Sequence, residues 1–191
     1  MLVFLDFEAS SLADRSYPIE VGWVWERGGG EAHLIRPAPG WSDWDPAAEA
    51  IHGITFAELL ADGESHAWVA QRMVDMLAGH TLCASAPSWD GKWLSVLLRA
   101  AGLPRHALRL RKTDDVLRET AREILGPTTP AAELAARTSE LVARVKESVP
   151  GALPAHRALA DAEQERQRWL RVRRAAKEAV EGRGKPPAGS S

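Results

Sequence analysis

The spacing of apolar residues changes period along the chain. Residues 1–8 read MLVFLDFE, a dense apolar run ending in acids, the pattern of a central strand buried on both faces. Residues 19–26 alternate: Ile19, Val21, Trp23 and Trp25 share one face, with Glu20, Gly22, Val24 and Glu26 opposite, which predicts a second strand. Gly28, Gly29 and Gly30 supply a turn, and residues 31–36 a third strand that Pro37 stops, so the chain opens as an antiparallel meander. From Ser65 the period lengthens. Val69, Met73, Met76 and Leu77 fall at i, i+4, i+7 and i+8 and predict an amphipathic helix ending at Gly79. Residues 81–86 then predict a short strand, 89–101 a helix, 108–112 a further strand, and 114–125 a helix closed by Gly126 and Pro127. A helix over 128–149, a connector bracketed by Pro150 and Pro154, and a last helix over 157–180 complete the pattern. Alternating strands and helices imply an α/β layer around a partly parallel sheet.

Composition narrows the class. With 191 residues, 45% hydrophobic and 26% charged, the chain can bury a core of its own and is neither disordered nor collagen-like. One domain over residues 1–180 is expected, with 181–191 as a frayed, disordered tail. A net charge of −2 argues against non-specific coating of nucleic acid. The longest apolar runs are far short of the ~20 residues of a membrane span, so no membrane partner is expected. Cys83 is the lone cysteine, which excludes an intrachain disulfide and a Cys-rich zinc site and fits a reducing compartment. With no basic leader ahead of an apolar core, the expected address is the cytoplasm.

The chemistry concentrates in three places. Asp6 and Glu8 lie at i and i+2 of the first strand and project from one face, where two carboxylates in apolar surroundings repel. A divalent cation with oxygen ligands, Mg²⁺ or Mn²⁺, is the simplest compensation, although two solvated acids at a strand end would carry the same pattern. His156 and Asp161, in HRALAD, converge only if His156 stays on the loop before the helix, because i and i+5 of one regular helix point about 140° apart. Asp90 enters a helix behind Trp89, where a cap or dipole partner is the plain alternative. Together, Asp6, Glu8, Asp90 and Asp161 can supply four carboxylates around two metal ions, with His156 as a group that titrates near neutrality.

In this order the residues closely resemble the DnaQ-like, or DEDDh, family of 3′-to-5′ exonucleases. LDFEASSL is similar to the family's Asp-x-Glu strand, residues 51–55 (IHGIT) to a second landmark, Trp89-Asp90 to the middle motif, and His156 to Asp161 to the last. The resemblance covers residues 1 to about 172. It implies an RNase H-like fold: a five-stranded mixed sheet, its first three strands antiparallel, flanked by helices. It implies that Asp6, Glu8, Asp90 and Asp161 hold two Mg²⁺ or Mn²⁺ ions and that His156 is the general base for the attacking water. The substrates so implied are 3′ ends of single-stranded DNA or RNA, released as nucleoside 5′-monophosphates. Ala9, Ser10, Ser11 and Leu12 would hold the terminal nucleotide, Ile51 and His52 would line its pocket, and Trp89 or Trp93 would offer stacking surface. Ala9 and Ser11 replace the family's more usual Thr and Gly, and Ser85-Ala86 stands where many relatives carry His-Asn.

Other features have plainer readings. Asp114 and Asp115 directly precede a helix and read as N-terminal caps, Cys83 as a packed strand residue, and residues 28–30 as a hairpin rather than a phosphate loop. Residues 163–185 carry eight Lys or Arg against four acids, the mix of a solvated helix face. Two competing functions share the fold: a non-catalytic nucleic-acid-binding or regulatory module, which the full set of acids disfavours, and a polymerase proofreading partner, for which no clamp-binding peptide is found. Oligomeric state and the choice between DNA and RNA are not written in these motifs.

Overall fold

The computed structural model describes residues 1–148 and 155–182. A mixed sheet of six strands runs in the order β4-β3-β2-β1-β5-β6. Its central strand β1 (Leu2–Ala9) pairs antiparallel with β2 (Pro18–Trp25) and parallel with β5 (Thr81–Ala84). β3 (Gly30–Arg36) completes the antiparallel meander, and β6 (Leu110–Lys112) pairs parallel with β5. The expected five strands are all present. The sixth, β4 (Glu64–Ser65), is a two-residue parallel addition on the edge of β3, too short to leave a periodic signal.

Two short helices were not expected: α1 (Pro46–His52) and α2 (Phe56–Ala61). Neither is long enough for an apolar stripe, but both are written in their ends. Asp45 caps α1 ahead of Pro46 and Gly53 closes it at φ 70°, while Thr55 and Glu58 form a capping box on α2. The longer helices follow the periodicity: α3 (His66–Leu77), α4 (Pro87–Ala100), α5 (Thr113–Leu125), α6 (Ala131–Glu147) and α7 (Ala158–Glu181). The connector at Pro150 and Pro154, Val149, and the expected tail from residue 183 onward lie outside the described residues.

By their contacts the described residues divide into two compact units, 1–113 with 155–166, and 114–148 with 167–182. In the first, Val3, Leu5 and Phe7 of β1 and Val21 and Trp23 of β2 form one buried face with Val69 and Met73 of α3 and Trp93, Leu94 and Leu97 of α4. Alternation therefore sends Asp6 and Glu8 to the other face, and the β1–β2 register sets Asp6 across from Gly22 and Glu8 across from Glu20. On that face α7 begins. A Cβ on Gly22 would lie 2.3 Å from the Leu159 backbone nitrogen, so only glycine lets the helix backbone rest on β2 beside Asp6. Gly22→Ala is expected to push α7 outward and lower stability by about 1–3 kcal/mol; denaturant melts check it.

In the second unit Val116, Leu117, Ala121, Leu141, Val142, Val172 and Ala176 are buried. Trp169 donates to the Thr120 hydroxyl at 2.9 Å. Asp114 lies in the first turn of α5 and pairs with Lys146 at 2.5 Å, so this acid, read as a cap, takes part in an ion pair. Cys83 is buried in β5, as expected. No helix among the described residues is long and apolar enough to cross a membrane.

Candidate metal centre and active site

Three elements of the first unit deliver the acids. β1 presents Asp6 and Glu8, and the first turn of α7, seated on Gly22, presents Asp161; ligand oxygens from these three lie within 4.8 Å of one another. They are the one group of three or more potential ligating side chains found together among the described residues. Asp90 reaches the neighbourhood from the first turn of α4, where Pro87 starts the helix and no side chain caps it. It is 2% exposed and its Oδ2 has no hydrogen-bond partner. A capping role leaves no buried acceptor orphaned, whereas a cation beside it would satisfy one.

The electrostatics fit the same group. Burial, followed by the charges of Asp90, Glu8, Asp161 and Glu165, pushes the Asp6 carboxyl up to about 9. Glu8 is pushed up to about 7, again by burial first and then by Asp161 and Glu20, with Arg157 pulling the other way. Asp90 also rises to about 7 through burial, partly offset by backbone hydrogen bonds at Ala86, Phe7 and its own residue. These acids hold protons in the fold at pH values where the unfolded chain has lost them. Native proton binding exceeds unfolded binding between about pH 4 and pH 9, so stability without metal falls as pH rises through that window. A divalent cation needs the ionised carboxylates and relieves their repulsion, so Mn²⁺ or Mg²⁺ is expected to raise the melting temperature more at pH 8 than at pH 6. Thermal melts with EDTA and with each ion at both pH values measure this.

His156 stands outside the helix, as the convergence argument requires. It precedes α7 at φ 50°, a left-handed conformation rare for a residue with a side chain. The Ala155 amide before it donates to Asp161 Oδ1 at 2.8 Å. After it, Arg157 forms a forked pair with Glu20 at 2.7 to 3.2 Å, and the Ala158 amide donates to Glu20 Oε2 at 2.8 Å.

The expected substrate contacts divide. Ala9, Ser10 and Ser11 are buried, and both serine hydroxyls donate to Asp43 Oδ2, at 3.1 and 2.5 Å, so they brace the loop after β1. Leu12 projects from that loop 68% exposed, and Ile51 is exposed on α1. His52 is buried; its Nδ1 accepts from the Ile54 amide, which places the ring proton on Nε2, an atom with no partner. Burial also lowers its pKa, keeping the ring a neutral donor. Trp93 packs in the core with its indole donating to Ser16, whereas Trp89 is 38% exposed with the Lys92 ammonium over its ring. Of the two tryptophans, Trp89 is the one with free ring surface.

Sequence reading missed Glu20, Arg157 and Asp43. Glu20 had one visible signal, an acid early in a largely apolar strand; Asp43 had none, because its partners lie more than thirty residues away.

No protein-family model matches the chain, and no curated protein matches it. Solved structures do. The zinc-ion-bound form of E. coli exonuclease I with single-stranded DNA is 19% identical at a TM-score of 0.62, over 95% of this chain and 41% of that one. E. coli exonuclease I with a dA16 oligonucleotide gives 18% and 0.63, over 94% and 42%, and a product-bound exonuclease I gives 18% and 0.61, over 95% and 46%. The fold is shared with exonuclease I. At this identity the likeness is one of architecture, an RNase H-like mixed sheet with flanking helices, and the chain spans less than half the length of these exonuclease I chains.

Proposed function

We propose that this protein is a metal-dependent 3′-to-5′ exonuclease acting on single-stranded nucleic-acid ends. The observation that carries the reading is the gathering of Asp6, Glu8 and Asp161 within 4.8 Å, with Asp90, whose Oδ2 is unpartnered, near enough for its charge to act on Asp6. Asp6, Glu8, Asp90 and Asp161 would hold divalent ions, Mg²⁺ or Mn²⁺, whose chemistry there is to offset charge on the scissile phosphodiester and to lower the pKa of water. His156 takes the proton of the attacking water, from a backbone tied down on both sides by the Ala155 and Ala158 amides. His52 donates from Nε2 to the terminal nucleotide, and Leu12, Ile51 and Trp89 offer apolar and stacking surface to its base. Ala9, Ser10 and Ser11 shape that pocket through their backbone, since the two hydroxyls are engaged with Asp43.

The solved structures of similar fold that hold single-stranded DNA favour an unpaired strand as substrate. The test is degradation of matched 5′-labelled DNA and RNA oligonucleotides, single- and double-stranded, with Mg²⁺, Mn²⁺ or EDTA. A ladder shortening from the 3′ end, absent in EDTA and restored by either ion, is expected. Undegraded oligonucleotides in every metal condition would overturn the reading in favour of a binding module.

A further inference from the structure

Glu20 is the least expected acid of the first unit. It is 2% exposed, in the middle of β2, and lies directly across the ladder from Glu8. A carboxylate there adds to the repulsion that raises Glu8, so its own charge needs an answer. The answer is in one short segment. Arg157 grips both carboxylate oxygens, and the Ala158 amide, one of the first of α7 and without a partner inside the helix, donates to Oε2. These are the two residues that follow His156. The residue before it, Ala155, is tied to Asp161. His156 therefore sits at the crest of a three-residue arch whose two feet are pinned by carboxylates, one on the sheet and one on the helix.

The backbone at the crest explains why pins are needed. A left-handed histidine is strained and persists only where its surroundings over-determine it. Without Glu20, Arg157 would lose its buried partner and the first amide of α7 its acceptor, and the arch would be free to relax toward an ordinary helix start. In that relaxed form His156 and Asp161, five residues apart on one helix, would point about 140° apart.

We propose that Glu20 is a positioning residue for His156: through Arg157 and the Ala158 amide it holds the left-handed backbone from which the imidazole projects. The proposal rests on the exonuclease reading for its catalytic consequence and on hydrogen bonds alone for its structural one. The test compares wild type, Glu20→Gln, Glu20→Ala, His156→Ala and the Glu20→Ala/His156→Ala double variant of the full chain at saturating Mn²⁺. Glu20→Ala is expected to lower kcat by about 10²-fold, the scale of a 1 Å misplacement, with KM within about twofold of wild type. Glu20→Gln, which keeps one oxygen for the Ala158 amide, should fall between them. In the double variant the loss should be no greater than in His156→Ala, because Glu20 acts through that ring; additive losses would overturn the proposal.

Amide hydrogen exchange supplies a readout that needs no activity. Glu20→Ala should speed exchange at Ala158 and its neighbours by about tenfold or more, while the amides of β1 and β2 keep their protection. Unchanged exchange at Ala158, or a uniform loss of protection, would overturn the proposal. Wild-type protein that fails to degrade any oligonucleotide sinks the exonuclease reading instead, and exchange still decides whether Glu20 holds the arch. Should Glu20→Ala not fold, Glu20→Gln carries the same comparisons.

Discussion

Replacing Asp6 by asparagine is expected to abolish nucleotide release and, in the same protein, to raise the melting temperature measured in EDTA. Both effects come from one carboxyl. Asp6 is held near 9 by burial and by the charges of Asp90, Glu8, Asp161 and Glu165, so at pH 8 the fold is working against its ionisation. The amide keeps the shape and removes the charge. Its gain without metal should be about 1–3 kcal/mol, the scale of a polar group's desolvation penalty, or roughly 2 to 12 °C for a chain of this size. Activity should fall by ~10³-fold or more, the scale of losing a direct electrostatic contact with the transition state. Calorimetry in EDTA at pH 8 and a 5′-label gel assay make the pair of measurements. Robust release by Asp6→Asn would remove the assigned site, and a lower melting temperature would show that the carboxyl is not crowded by like charges. The combination is diagnostic because a purely structural acid would lose stability on substitution.

The second large effect belongs to His156. His156→Ala should lower kcat by about 10²- to 10⁴-fold, the usual range for a lost general base, while Mn²⁺ uptake stays close to wild type because Asp6, Glu8, Asp90 and Asp161 are untouched. Misfolding is a weak alternative here. Position 156 has φ 50°, which glycine adopts without cost, so His156→Gly should be at least as stable as wild type and equally slow. Measured side by side, melting curves, Mn²⁺ titrations and single-turnover rates separate the roles. A glycine variant that cleaves at the wild-type rate would show that the proton goes elsewhere; one that no longer takes up Mn²⁺ would show that the ring acts on the metal site rather than on water.

The two substitutions draw on different parts of the fold, and so did the sequence. Strand β1 could be read from MLVFLDFE because apolar density and the period of two are local properties: they place Asp6 and Glu8 on one face whatever surrounds them. The alternation of β2 likewise put Glu20 and Gly22 on one face, and the helical spacing of α3 and the later helices was visible at their apolar positions. The departure of His156 from the helix followed from geometry once Asp161 was taken as its companion, and the resemblance in motif order named the four acids.

What the sequence could not state was why those acids meet. Gly22 looked like any strand glycine until the backbone of α7 lay against it, and Glu20 like a misplaced polar residue until Arg157 and the Ala158 amide closed on it. Each depends on a partner more than one hundred and thirty residues away, and no local period encodes such a distance. The same holds for Asp43 bracing Ser10 and Ser11, for the orphaned oxygen of Asp90, and for the division of Trp89 from Trp93 into surface and core. Local periodicity determined which side chains share a face of the sheet; long-range packing decided how close the faces come, and that closeness turns scattered carboxyls into a site with raised pKa values and room for a cation.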